Sequence, residues 1–264
     1  MSTRSNTHPS RRERRAIERA AQPRTPRATI THAPTRSRCR SPFVLVSLGT
    51  VAVMGLAIGA LLLSSKPSGT SGLVPLMTPP ETGFSELADG AALGAADAPV
   101  VLEVYGDYQC PWCGQFAREV LPGLARTFVA SGQLRIEDRS INLLSRHSTE
   151  SIDAATAAAC AAPAGKYWEF HDYLMWNQSG EDLGAFSRER LFDVADRLDL
   201  DGATFATCYD DPTVRGQIHD RTAQAFAAGI TSTPTFVVDG ERVDVPMGEL
   251  ETLIQTRLEA ASAR

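Results

Sequence analysis

Pro99-Val-Val-Leu-Glu-Val-Tyr105 is a short apolar run rich in β-branched residues, and it reads as a buried strand. Gly106-Asp107-Tyr108-Gln109 then turns the chain into Cys110-Pro111-Trp112-Cys113. Beyond that pair Phe116, Val120, Leu121, Leu124 and Phe128 recur at helical spacing, with Pro122 as the expected kink. Two cysteines therefore stand where a helix opens directly after a strand. Zinc would need two further ligands, usually a second close pair, and Cys160 and Cys208 lie too far apart to form one. A structural disulfide across only two intervening residues is strained. A redox dithiol fits best. Backbone N–H groups and the dipole at a helix start stabilise a thiolate on the first cysteine. Pro111 suits the first helical position, where its missing N–H costs nothing. Cys113, one turn in, is placed to resolve a mixed disulfide.

The rest of the pattern is α/β. Leu134 to Leu144 alternates as a second strand. Residues 148–228 carry no strand signal and are rich in Ala, with Lys166–Trp176 and Arg188–Leu198 as the clearest helices. Thr235–Val243 reads as a hairpin, two β-runs around Asp239-Gly240. Gly248–Ala260 closes the chain as a helix. The order is β-α-β, a helical block, β-β and α, without internal repeats.

Charge divides the 264 residues into three parts. Residues 1–42 hold 11 Arg and 2 Glu and no apolar periodicity, which predicts a disordered Arg-rich tail. Phe43–Leu63 is 21 residues without a charge. As a helix it would span about 31 Å, enough to cross a hydrocarbon core. The apolar region of a secretory signal is shorter, and Ser64-Ser65-Lys66-Pro67 is a poor cleavage site. A cleaved signal is the alternative to a transmembrane helix. The Arg excess puts the N-terminal side in the cytoplasm. Residues 64–87, rich at first in Ser, Thr, Gly and Pro, read as a flexible linker, and 88–264 as the folded extracytoplasmic domain. That domain is acidic and the basic tail reads as unfolded, which argues against a nucleic-acid protein. Cys39 falls on the cytoplasmic side and reads as an idle thiol, with acylation as the alternative.

Leu93-Gly-Ala-Ala-Asp-Ala-Pro-Val-Val-Leu-Glu-Val-Tyr-Gly-Asp-Tyr-Gln-Cys-Pro-Trp-Cys113 resembles the opening of the DsbA-like thiol-disulfide oxidoreductases. Gly165-Lys-Tyr-Trp-Glu-Phe-His-Asp172 is similar to a segment of that family's helical insertion. Gly229-Ile-Thr-Ser-Thr-Pro-Thr-Phe-Val-Val-Asp-Gly240 looks like its cis-proline loop and following hairpin. The resemblance implies a thioredoxin-like fold with an inserted helical domain, here preceded by one transmembrane helix. It makes Cys110 the nucleophile and Cys113 the resolving thiol. Pro234 becomes the cis-proline facing them, with Thr233 offering backbone hydrogen bonds to a bound peptide; a plain turn before a strand is the alternative. Pro111 and Trp112 occupy the dipeptide that tunes the redox potential.

The same resemblance implies no cofactor and no metal. Its partners would be exported cysteine-containing proteins and a membrane redox partner, quinone-linked and DsbB-like or VKOR-like. A single catalytic domain without a dimerisation module favours an oxidase. Reductase, isomerase and a membrane-tethered binding or chaperone module are the alternatives. One departure stands out. Many thioredoxin-fold enzymes carry a buried acid six residues before the first cysteine, and here that position is Val104. Glu103 should face the other way, Asp107 reads as a turn cap, and His147 and His171 read as surface or helix-terminus residues. With Cys110 and Cys113 committed to each other, Cys160 and Cys208 are expected to form a structural disulfide between two helices of the insertion. Two buried free thiols are the competing reading.

Overall fold

The computed structural model describes residues 74–263. The expected tail, transmembrane helix and Cys39 lie outside these residues. Among the described residues no helix is long and apolar enough to cross a membrane.

Six strands form one sheet: β1 (Ala88–Asp89), β2 (Ala92–Leu93), β3 (Val100–Tyr105), β4 (Leu134–Asp138), β5 (Thr235–Val238) and β6 (Glu241–Val243), in the order β1-β2-β4-β3-β5-β6. β3 sits near the centre, parallel to β4 and antiparallel to β5. Its alternation puts Val100, Leu102 and Val104 into the core and leaves Glu103 half-buried, where it pairs with Arg139 at 2.8 Å. β5 is buried on both faces. Phe236 and Val238 join the main core, while Val237 packs with Ile141, Ala225 and Ile230 on the other side. The β5–β6 turn carries Asp239 (φ 50°) and Gly240 (φ 79°). Two successive left-handed residues are what a tight hairpin turn needs, and Asp-Gly supplies them at little cost.

The second strand is shorter than the alternation from Leu134 to Leu144 predicts. Two further amides keep the pairing, Arg139 N–H donating to Val104 O (2.9 Å) and Ile141 N–H to Gly106 O (2.8 Å). The Leu144 amide is then taken by the Asp107 carboxylate at 2.8 Å. A side-chain acceptor replaces a strand partner, and the ladder ends.

α1 runs from Pro111 to Val129 as α-helical turns (Pro111–Gln115, Leu121–Leu124) alternating with wide π turns (Phe116–Val120, Ala125–Val129). Pro122 has no N–H for the carbonyl four residues back, and Leu121 N–H bonds instead to Phe116 O, five back. The expected kink is thus a local widening of the helix beside Pro122.

The insertion holds α2 (Glu150–Ala161), α3 (Tyr167–Trp176), α4 (Arg188–Arg197), α5 (Gly202–Tyr209) and α6 (Pro212–Ala227), and α7 (Leu250–Ser262) ends the fold. α2 is buried nearly all round through Ile152, Ala154, Ala155, Ala157, Ala158 and Ala161. Alanine combines the best helix propensity with a side chain small enough for close approach of neighbouring helices. Asp201 and Asp211 cap α5 and α6, each accepting a backbone N–H at 2.8 Å. Cys160 on α2 and Cys208 on α5 are joined by a disulfide, with their Cα atoms 5.8 Å apart.

The linker expected over 64–87 is too long at its C-terminal end. Phe84 is buried edge-on against Trp168, Leu76 and Leu87 pack on the core, and Asn177 bonds both the N–H and the carbonyl of Met77. A few apolar residues spaced among prolines are enough to dock this segment.

Candidate active site

Cys110 is the residue that caps the N-terminus of α1, and Pro111 takes the first helical position. At that position the positive end of the helix dipole favours a thiolate. The Cys110 thiol is held low, at about 6 instead of 9.0, chiefly by a hydrogen bond from the Cys113 thiol. Burial opposes that effect, while the Thr233 side chain and the Cys113 and Trp112 amides add to it. Cys113 is the reverse case. Burial pushes its thiol well up, and the neighbouring Cys110 sulfur pushes the same way. One cysteine is thus poised as a thiolate and the other as a proton-bearing thiol.

The loop before β5 completes the site. The Thr233–Pro234 peptide bond is cis. The Thr233 carbonyl oxygen lies 3.2 Å from Cys110 Sγ, which donates to it when protonated. Trp112 is 61% exposed and shares with Ser232, Pro234, Arg242 and Met247 an open groove of about 460 Å³. The six residues singled out from the sequence (Cys110, Pro111, Trp112, Cys113, Thr233 and Pro234) therefore meet at one place. Cys160 and Cys208 are bound to each other in the insertion and take no part in it.

Hydrogen bonds from the insertion fix the turn that carries Cys110. Gln178, just beyond α3, donates through Nε2 to Tyr108 O (2.7 Å) and Cys110 O (2.9 Å). Gly114 makes room for it, because a Cβ there would lie 2.0 Å from Gln178 Oε1. Gln109 accepts from Asp182 N–H at 2.6 Å and donates to Ser151 Oγ at 3.1 Å. Asp107 does cap the turn, accepting from Gln109 N–H at 2.9 Å, and it also accepts from Ser151 Oγ at 2.6 Å. Its carboxyl is pushed up by burial. Glu103 faces Arg139, as the strand alternation requires. His171 departs from its sequence reading as a surface or terminal residue, since it is buried within α3. Nothing local in the sequence marks Gln178 or Gln109, whose partners are dozens of residues away.

The family model described as Thioredoxin matches residues 86–256. The chain belongs to the thioredoxin family. Solved structures refine the fold within it. The BdbD protein of Bacillus subtilis superimposes with a TM-score of 0.58 at 23% identity, covering 70% of this chain and 98% of that one. The fold is thus that of the DsbA-type proteins, a thioredoxin core with a helical insertion. Among curated relatives, the Na(+)/H(+) antiporter NhaA 3 of Salinispora tropica is 32% identical over 196 residues, 74% of this chain and 28% of that protein. Disulfide bond formation protein D of Bacillus subtilis is 24% identical over 149 residues, 56% of this chain and 66% of that protein. The chain spans about a quarter of the length of the antiporter relatives that it matches.

Proposed function

We propose that this family member is an extracytoplasmic thiol-disulfide oxidoreductase that forms disulfides in exported proteins. The observation that carries this reading is the placing of Cys110 at the start of α1, 3.2 Å from the carbonyl oxygen of Thr233, with Cys113 buried one turn further on. In the exchange, a substrate thiolate attacks the Cys110 sulfur of the Cys110–Cys113 disulfide and Cys113 leaves. A second substrate thiolate then displaces Cys110, and the dithiol is left reduced. Each interaction that stabilises the Cys110 thiolate stabilises the reduced protein, and so makes its disulfide a stronger oxidant. The Thr233 carbonyl and the groove beside Trp112 and Pro234 offer an extended peptide a place to lie.

In the same proposal residues 43–63 anchor the chain, the Arg-rich side is cytoplasmic, and a membrane redox partner reoxidises the dithiol. Two measurements test it. Cys113→Ala should accumulate mixed disulfides between Cys110 and exported proteins. The Cys110–Cys113 couple should equilibrate nearer to the strongly oxidising DsbA, about −120 mV, than to thioredoxin, about −270 mV. A couple near the thioredoxin value would make the protein a reductase. Protease added outside spheroplasts should remove the domain and leave an anchored stub, whereas an undigested protein would overturn the topology.

A further inference from the structure

Cys113 also borders a small cavity whose volume, about 20 Å³, is enough for one water. Most of its wall is apolar, Val104 and Phe116 included, but two ionisable residues, Asp138 and His171, help to line it. His171 is 4% exposed, and the rings of Trp168 (4.9 Å) and Tyr108 (5.8 Å) pack around its imidazole. Its Nδ1 lies 3.2 Å from Asp172 Oδ1. A carboxylate only accepts, so Nδ1 bears a hydrogen, and in the neutral imidazole Nε2 is the nitrogen that keeps its lone pair. Asp172 in turn accepts from Thr82 Oγ1 at 3.0 Å, and it lines an open cleft of about 490 Å³ with Thr82, Lys166 and Glu169. Cys113, the cavity, His171, Asp172 and solvent thus form a continuous line.

Asp138 is differently placed. Its Oδ2 accepts from Ser140 Oγ at 2.6 Å, from Tyr108 OH at 3.5 Å and from Tyr167 OH. Burial and the Asp138 charge itself push both tyrosine hydroxyls well up. These hydroxyls hold the carboxylate in place, and none of Tyr108, Ser140 and Tyr167 lines the cavity or the Thr82 cleft.

We propose that His171, oriented by Asp172, is the proton relay of Cys113, working through one water in the cavity and exchanging with solvent at the Thr82 cleft. The relay rests on the dithiol exchange proposed above. When Cys113 resolves a mixed disulfide, its S–H bond breaks and the proton passes through the water to His171 Nε2. The Cys113–Cys110 bond forms, the bond between Cys110 and the substrate sulfur breaks, and the substrate leaves as a thiolate with the electron pair. In the oxidising direction the substrate thiolate attacks Cys110, and Cys113 leaves and takes its proton back from the imidazolium. Two electrons move between dithiol and substrate, and no other reagent is needed. Imidazole suits the task because one ring nitrogen can take up a proton while the other stays bonded to its carboxylate. The ionisable groups around it are Cys113 and Asp138 at the cavity, Tyr108 at its ring edge and Asp172 on its own helix.

The test mixes the reduced protein with a peptide disulfide and follows two phases by acid quench and mass spectrometry. The first is mixed-disulfide formation at Cys110 and the second is its resolution by Cys113. His171→Gln should leave the first phase unchanged, slow the second about 100-fold, and flatten its dependence on pH. Asp172→Asn, which keeps the imidazole but loses the charged acceptor, should slow the second phase by a smaller factor. If His171→Gln does not fold, Asp172→Asn carries the test. An unaltered second phase in the folded variants overturns the relay, as does a loss confined to Asp138→Asn. A wild-type protein that forms no mixed disulfide overturns the exchange reading and the relay with it, and the missing first phase tells the two failures apart.

Discussion

The sulfur of Cys110 lies 3.2 Å from the carbonyl oxygen of Thr233, a residue 123 positions away in the chain. That contact joins the start of α1 to the loop before β5, which is bound to β3 on the far side of the sheet from β4. Two segments that the sequence keeps apart are thereby made one site. The Thr233 side chain lowers the Cys110 thiol further.

Thr233→Val keeps the backbone carbonyl and the β-branched shape but removes the hydroxyl. A hydrogen bond to a charged group contributes about 1.5 kcal/mol or more, so the ratio of thiolate to thiol at Cys110 should fall about tenfold. Iodoacetamide labelling of the reduced protein at mildly acidic pH measures it. Labelling as fast as in the wild type would show that the hydroxyl does not reach the sulfur.

The Gln178–Gly114 contact predicts a coupling. Gln178→Leu leaves the carbonyls of Tyr108 and Cys110 without that donor, at an expected cost of about 1–3 kcal/mol. Gly114→Ala would push its Cβ into the same amide and should also destabilise. With Gln178→Ala already present, Gly114→Ala should cost less than it does alone, because the nearer obstacle is gone and only Arg118 Nη1, 2.6 Å from the added Cβ, remains. Chemical denaturation of the four proteins in that cycle decides the point, and strictly additive losses would contradict the packing described.

Much of this was legible where the signal is local. The strand, turn and helix around Cys110 and the Asp239-Gly240 hairpin follow from period, turn chemistry and the proline at the first helical position. The N-terminal hairpin of β1 and β2 leaves no mark in the sequence, because strands of two residues show no period. The burial of His171 is not legible because eight of the ten residues of α3 are buried, and a helix buried on nearly every side has no polar face to betray an inward histidine. The hydrogen bonds of Gln178 and Gln109 depend on how the insertion docks, which no short stretch encodes. Asp107 is intermediate: its place as a cap was readable, but its hold on Leu144 and Ser151 was not.

The Cys160–Cys208 disulfide closes a loop of 48 residues between α2 and α5. In the loop-entropy account such a bridge contributes up to about 4 kcal/mol. Cys160→Ala with Cys208→Ala should therefore lower the melting temperature while mixed-disulfide formation at Cys110 continues. Two alkylatable thiols from these positions in the oxidised, denatured wild-type protein would show that the bridge does not form.

The helix start, Cys113 and Thr233 together hold Cys110 as a thiolate, and titration of that thiol is the plainest check. A folded-state value of about 6 against 9.0 for a free thiol also fixes the sign of the pH dependence. The stabilisation of the reduced protein by Cys110 is fully present above the free-thiol value and is lost as pH falls through the lower one. The rate of alkylation at Cys110 in the reduced full-length protein, followed by mass spectrometry as a function of pH, should be half-maximal near about 6. Over the same interval the reduced protein should gain stability with rising pH, and Cys110→Ser should abolish the gain. A half-maximal rate near 9.0, the ordinary thiol value, would contradict the account.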